Sequence, residues 1–504
     1  MEVSEYILNI RSELFDHGIY PSNIFPSTNT LMSMCKELHT ISTIDYKISI
    51  KQWIEQATKY FPNLTEDECT SIFITYLALC KNNELHLPTI SKKIEHKESE
   101  KLCDIRCFAI FLGIQVYANS LKGNTDSRKQ MSDTPWPSQS HGTPKLAGNL
   151  SSPRSKTTKI QYITSEFQLI KNFIQNNIKY ILTIMSPDST NPDTAQLNSN
   201  EINCLRILFS IQKKDSPSII NNIPISSVFP YIANTQTSTT KFKVWLISEW
   251  IIKHLNIKEP KDYFEINSLR KAVFIKGEEI PQGLNLKIFG IEESQIYVNN
   301  NFENIMISGS SFSSIFVAAS NNVCSIDRCE NCQFIIASKI VRISNCVDCT
   351  YQLFTSEQPI IFGDNRSLVI GPHNAAYESL MEIIKRAKLA KTTTNKKNYE
   401  NPLVFKKCNE SFSIQLPKDF MKHAVPLQFK ENMIMLAPQE YLNSLNARMD
   451  CFQNLKEKIT KSNLTPQQQK QLILSIQGFF KEYLISSNGI KGISEILKQI
   501  DQSQ

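Results

Sequence analysis

The sequence predicts an α+β multidomain protein organised around a parallel β-helix, with an N-terminal all-α region before it and C-terminal helices after it. The first observation is a recurring pattern. Ten apolar runs between residues 284 and 372 have core triplets starting at 288, 296, 305, 315, 324, 334, 341, 351, 359 and 368, which is 80 residues over nine steps. The second is their texture: each run alternates with period two and is too short for an amphipathic helix, so each reads as a strand with one face inward. The third lies in the corners, which carry Asn, Ser and Cys clusters and none of the Asn-Gly or Asp-Gly dipeptides that tight hairpins prefer.

Cysteine spacing supports stacking. Cys329 and Cys346 are 17 residues apart, as are Cys332 and Cys349. A residue type that returns after two strand steps is what the coils of a solenoid produce, with like side chains laddered one rung apart; four to five coils are expected. The same four cysteines approach the spacing of a four-cysteine zinc site. Both pairs sit at the ends of apolar strands without a glycine-rich knuckle, and buried free cysteine packs as a small hydrophobe. The expectation is therefore a ladder of thiols and no cofactor.

These residues also carry a family resemblance. The Cys329-x-Asn331-Cys332 turn, the strand from Ala337 through Arg342 to Cys346, the Gln358-Pro359 strand start and the Gly371-Pro372 exit leading to Asn374 and Tyr377 together resemble the C-CAP/cofactor C-like domain, the domain of tubulin-folding cofactor C. The resemblance implies a right-handed parallel β-helix. It implies as partners tubulin or microtubule-organising-centre proteins, with a small GTPase as a further candidate. It also implies a place in the cytoplasm and cytoskeleton, at the centrosome, basal body or spindle pole, with a role in positioning organelles and shaping the cell. Its one catalytic feature is an arginine finger that enters the nucleotide site of a bound GTPase, and the corresponding position is Arg342. Alternation turns Val341 and Ile343 inward and sends Arg342 outward, as a finger requires. The chain departs from the pattern just ahead of it, with Lys339 and Ile340 where competent members carry Gln-Gln. A non-enzymatic cytoskeletal protein is thus expected, with GTPase activation through Arg342 as the alternative.

Composition narrows the remaining classes. The chain has 504 residues, 41% of them hydrophobic, and a net charge of +7; by length this is about three domains. Its 13 cysteines follow no disulfide framework, which fits a reducing compartment. The longest apolar run, residues 71–80, falls short of the roughly 18 residues a membrane span requires, and neither terminus carries a lipidation motif, so no membrane anchor is expected. Basic residues gather at Lys385, Arg386, Lys388, Lys391, Lys396, Lys397, Lys406 and Lys407 against Glu400. This reads as a solvated linker, and with no recognition fold beside it, no nucleic acid is expected as a partner.

In chain order, residues 1–118 read as a helical region, with a helix over 5–18 capped by Gly18 and another opened by the Thr65/Glu68 capping box. Residues 119–159 are poor in large aliphatics and read as a disordered linker, in which Thr134, Thr143 and Ser152 each precede proline. Residues 160–260 form a second helical region, its last helix, around Trp245 and Trp250, expected against the β-helix or its neighbours. Residues 261–395 hold the β-helix, with Tyr377, Leu380, Met381 and Ile384 expected to cap its open end. Residues 396–504 form a C-terminal helical extension whose last helix opens at Thr465, with Gln468 completing its box. No further catalytic set emerges: the eight histidines show no metal spacing, and no glycine loop for phosphate occurs.

Overall fold

The structure is a computed structural model that describes residues 5–21, 24–84, 101–118, 154–186, 190–214, 219–220, 223–229, 241–256, 262–277, 279–389, 397–405, 412–423, 425, 435–462 and 464–486. Most of the 119–159 segment, with Thr134, Thr143 and Ser152, lies outside these residues, as do Lys391, Lys396, Lys406 and Lys407.

The alternating runs form a parallel β-solenoid of about six turns. Its first wall stacks Tyr263–Asn267, Asn285–Phe289, Ile305–Ser308, the second half of Ser314–Asp327, the second half of Gln333–Ser344, Ile360–Phe362 and Leu403–Val404. The second wall stacks Val273–Lys276, Gln295–Phe302, the first halves of the same two long strands, Thr350–Thr355, Leu368–Pro372 and Phe412–Ile414. Inward residues, among them Ile296, Ile315, Phe334, Val341 and Ile343, form one buried core. The count of coils exceeds the four to five expected, because the solenoid runs past residues 284–372 at both ends, with Tyr263–Asn267 and Val273–Lys276 forming a rung ahead of them. The short strands Leu403–Val404 and Phe412–Ile414 add a rung from within the segment read as helical extension.

The corners explain the Asn, Ser and Cys clusters. Lys271, Glu293, Phe312, Asn331, Asp348 and Ser367 all hold left-handed backbone at one corner position, as do Ser268, Gly290, Gly309, Arg328 and Asn345 at another. Asn and Gly tolerate that region best. Behind these corners runs a ladder of small polar side chains. Ser294, Ser313, Cys332 and Cys349 each donate to the carbonyl two residues back, on Glu292, Ser311, Glu330 and Val347. Cysteine here takes the place of serine on the rungs above.

Both helical regions build one hydrophobic core, not two. Ile105–Ile114 is buried along its whole length, and Trp53, Phe73 and Tyr76 pack edge-on around Phe108. Thr65 and Glu68 exchange the two bonds of the predicted box. Several helical expectations are corrected. Tyr6–Ile10 is a strand, paired antiparallel with Phe209–Lys213, which leaves only Glu13–Gly18 as helix. Gly18 is no left-handed cap; a Cβ there would lie 3.0 Å from the Phe111 ring. The helix Arg154–Met185 begins inside the stretch read as linker. Of the two surfaces expected for it, Val244–His254 takes the neighbouring helical layer, packing on that helix and on Tyr6–Ile10 and leaving Trp245 exposed.

The helix Leu380–Arg386 also sits elsewhere than expected. Tyr377, Leu380, Ile383 and Ile384 pack on Tyr297, Phe316, Ile335 and Ala337, the outward side of the second wall, while Met381 is exposed. It covers a flank, because that flank is apolar, and the end of the solenoid receives the 403–404 and 412–414 strands instead. The helices Gln439–Lys461 and Pro466–Ser486 belong to a second compact unit, residues 439–504.

Candidate functional site

Parallel register places Lys287, Met306, Ser325, Arg342, Ile360 and Leu403 one above another on the outward side of the first wall. The segment 16–20 runs along this column and meets it rung by rung. Asp16 pairs with Lys287 at 3.2 Å. His17 Nδ1 lies 2.8 Å from Ser325 Oγ. Arg342 Nη2 donates to the Ile19 carbonyl at 2.7 Å, and its guanidinium lies 4.5 Å from the Tyr20 ring centre and 4.9 Å from that of Phe362. Alternation did send Arg342 out of the solenoid, as expected, but the chain's own helical layer covers it: Arg342 is 3% exposed.

The segment is fastened from behind as well. Gln115 accepts from the Tyr20 amide and donates to the Gly18 carbonyl. The Tyr20 hydroxyl donates to the Ser71 carbonyl and meets Thr75 Oγ1 at 2.7 Å, while its ring stacks on Phe405 with centroids 5.2 Å apart. Val323, Ile340, Ile360, Leu403 and Phe405 join the helical core around it.

The electrostatics of Arg342 are unusual for a buried cation. Burial lowers its pKa below the ordinary arginine value, against the pull of Tyr20 and Asp327. Among the described residues it pairs with no carboxylate, and its Nε has no partner. Buried Arg106, by contrast, is held by both oxygens of Asp104. A charge removed from water without such a pair is costly; two aromatic faces and one carbonyl offset part of that. His17 beside it is pushed down to about 4, chiefly by burial, so it is neutral at neutral pH and adds no charge to Lys287 and Arg342.

The other motif residues take structural posts. Asn331 holds a left-handed corner between Cys329 and Cys332. Cys329 and Cys346 are fully buried on successive rungs, and burial holds both thiols far above their usual range, in the protonated form. Ala337 lies under the 380–386 helix. Gln358 donates to the Asn401 carbonyl at 2.6 Å and the Pro359 carbonyl accepts from Leu403 N at 2.8 Å, which ties on the added rung. A Cβ on Gly371 would collide with Gln415, and Pro372 pairs with Leu353. The motif therefore marks corner, flank and seam, and Arg342 alone stands on the covered column. Nothing local in the sequence marked residues 16–20 as its cover.

One buried trio, Asp104, Cys107 and Cys204, brings its ligand atoms within 4.8 Å of one another. Both Asp104 oxygens are already held by Arg106, so a cation there would meet a neutralised carboxylate and a like charge.

The family model described as Tubulin binding cofactor C matches residues 283–401. TBCC domain-containing protein 1 of Mus musculus is 23% identical over 230 residues, 44% of this chain and 41% of that protein. The Gallus gallus protein of the same name is 21% identical over 240 residues, 46% of this chain and 42% of that protein. The match thus spans about two fifths of the length of these relatives. The solved structure of Tubulin Binding Cofactor C from Leishmania major aligns with 30% of this chain and 96% of its own, at 15% identity and a TM-score of 0.22. No helix among the described residues is long and apolar enough to cross a membrane. Residues 283–401 thus match the Tubulin binding cofactor C family model, in a chain similar to TBCC domain-containing protein 1.

Proposed function

We propose that this chain is a non-enzymatic protein of the tubulin cytoskeleton, acting as a scaffold at the microtubule-organising centre, whether centrosome, basal body or spindle pole, and contributing there to organelle positioning and cell shape. The observation that carries the reading is the cover over Arg342. The side chain at the position of the family's catalytic arginine is tied to Ile19 and Tyr20 of the same chain, so the first wall is spent on an internal contact. A solenoid so used is a rigid body that presents its corners and remaining surface to a partner. The similarity to proteins named for a tubulin-binding domain supports tubulin or a microtubule-organising-centre protein as that partner. Imaging a tagged full chain beside a centriole marker tests this: a discrete spot at centrosomes or basal bodies is expected, and a diffuse signal with no tubulin recovered in co-purification contradicts it.

A second reading rests on one observation. Among the described residues the Arg342 guanidinium has no carboxylate partner, and an arginine without one suits stabilisation of phosphoryl charge on a small GTPase or tubulin once residues 16–20 are displaced. GTP hydrolysis measured with wild type and Arg342→Ala separates it from the scaffold.

A further inference from the structure

The second compact unit leaves a long apolar surface uncovered. On the helix Gln439–Lys461, Met449, Phe452 and Leu455 are 61%, 69% and 54% exposed; on Pro466–Ser486, Ile473, Ile476 and Phe479 are 54%, 52% and 75% exposed. On each helix these positions recur three residues apart, so each set lies along one side of its helix. The two faces are not turned on each other, since all six side chains remain open to solvent.

We propose that this surface pairs with its counterpart on a second copy of the chain, joining the four helices of two 439–486 segments into one bundle. Charge favours an identical partner. From Pro466 to residue 480 the only ionisable side chain is Lys470, and on the first helix Arg448, Lys456, Lys458 and Lys461 are answered by Glu440, Asp450 and Glu457. A partner recognised by charge finds little to read there, whereas two identical faces meet no like-charge barrier. The area approaches that of a standard interface. Side chains this large and this exposed offer on the order of 100 Å² each, hence roughly 600 Å² per copy before flanking residues, against about 800 Å² per partner in a standard interface. In an isologous pair, the first helix of each copy lies against the second helix of the other, and both stripes are covered by one two-fold operation.

The test is the mass of the full chain in solution by light scattering at micromolar concentration, with and without Phe452→Glu together with Phe479→Glu. Both positions are exposed, so the double variant keeps its helix content by circular dichroism. Wild type is expected at twice the chain mass and the variant at once the chain mass. A monomeric wild type overturns the proposal, and so does a variant that remains a dimer.

Discussion

Arg342 donates to the carbonyl oxygen of Ile19 across 323 positions of sequence, at 2.7 Å. That bond joins the most conspicuous side chain of the solenoid wall to the segment that closes over it, and it makes the wall a buried interface.

Substitution of Arg342 separates packing from charge. Arg342→Met keeps most of the volume and removes a buried charge that pairs directly with no carboxylate among the described residues, so the unfolding free energy should stay within about 1 kcal/mol of wild type or rise. Arg342→Ala leaves a cavity between Tyr20 and Phe362 and should cost about 2–4 kcal/mol. Chemical denaturation decides between them; a Met variant as damaged as the Ala variant means that the guanidinium itself holds the layer.

Gly18 is needed for room. Gly18→Val places a branched side chain against Phe111 and should cost about 1–3 kcal/mol. Because the strain falls on the covering segment, amide exchange should accelerate at 16–20 and along 340–344 while the corner rungs stay protected. Equal protection throughout contradicts the role given to this segment.

Acid should loosen the fold. Burial lowers His17 to about 4, His373 to about 3 and His423 to about 4. Each depressed histidine takes up protons more readily when unfolded, so its stabilisation is complete above about pH 6.5 and is lost as pH falls towards 4, by up to about 1.4 kcal/mol per unit. Asp262, raised to about 6 mainly by burial, acts in the opposite sense between its ordinary value and that one, and offsets about one histidine's share. The net fall from pH 6.5 to 4 should flatten in His17→Gln. An unchanged slope in that variant refutes the burial assigned to His17.

The cysteine ladder predicts tolerance of serine. Ser294 and Ser313 already make the bond that Cys332 and Cys349 make, so Cys332→Ser and Cys349→Ser should each cost no more than about 1 kcal/mol. Alanine, which lacks the donor, should cost more. A chelator should leave the melting temperature unmoved; a drop on chelation restores the zinc reading.

The solenoid was legible in the sequence because alternation fixes which side of each strand faces in: Ile296, Ile315, Phe334 and Val341 all lie inward as the pattern requires. What covers the outward side was not legible. Ser325, Arg342 and Ile360 read alike whether water or protein lies over them, and their cover comes from residues more than 300 positions away. The helix at 380–386 was found but assigned to the end of the solenoid, because its apolar stripe does not say which apolar surface it meets; Phe316 and Ile335 decide that. Strands as short as Leu403–Val404 and Phe412–Ile414 leave too few residues for a period to show. Likewise Tyr6–Ile10 became a strand only through its partner at 209–213, which a local pattern does not contain.

The central claim is that the wall bearing Arg342 serves the architecture and not a nucleotide site. Its most direct measurement is GTP hydrolysis by tubulin and by Arf-like small GTPases in the presence of the full chain and of Arg342→Ala. Identical rates with both proteins, at the intrinsic level, are predicted. An acceleration of about 10³-fold or more by wild type that disappears in Arg342→Ala contradicts the account.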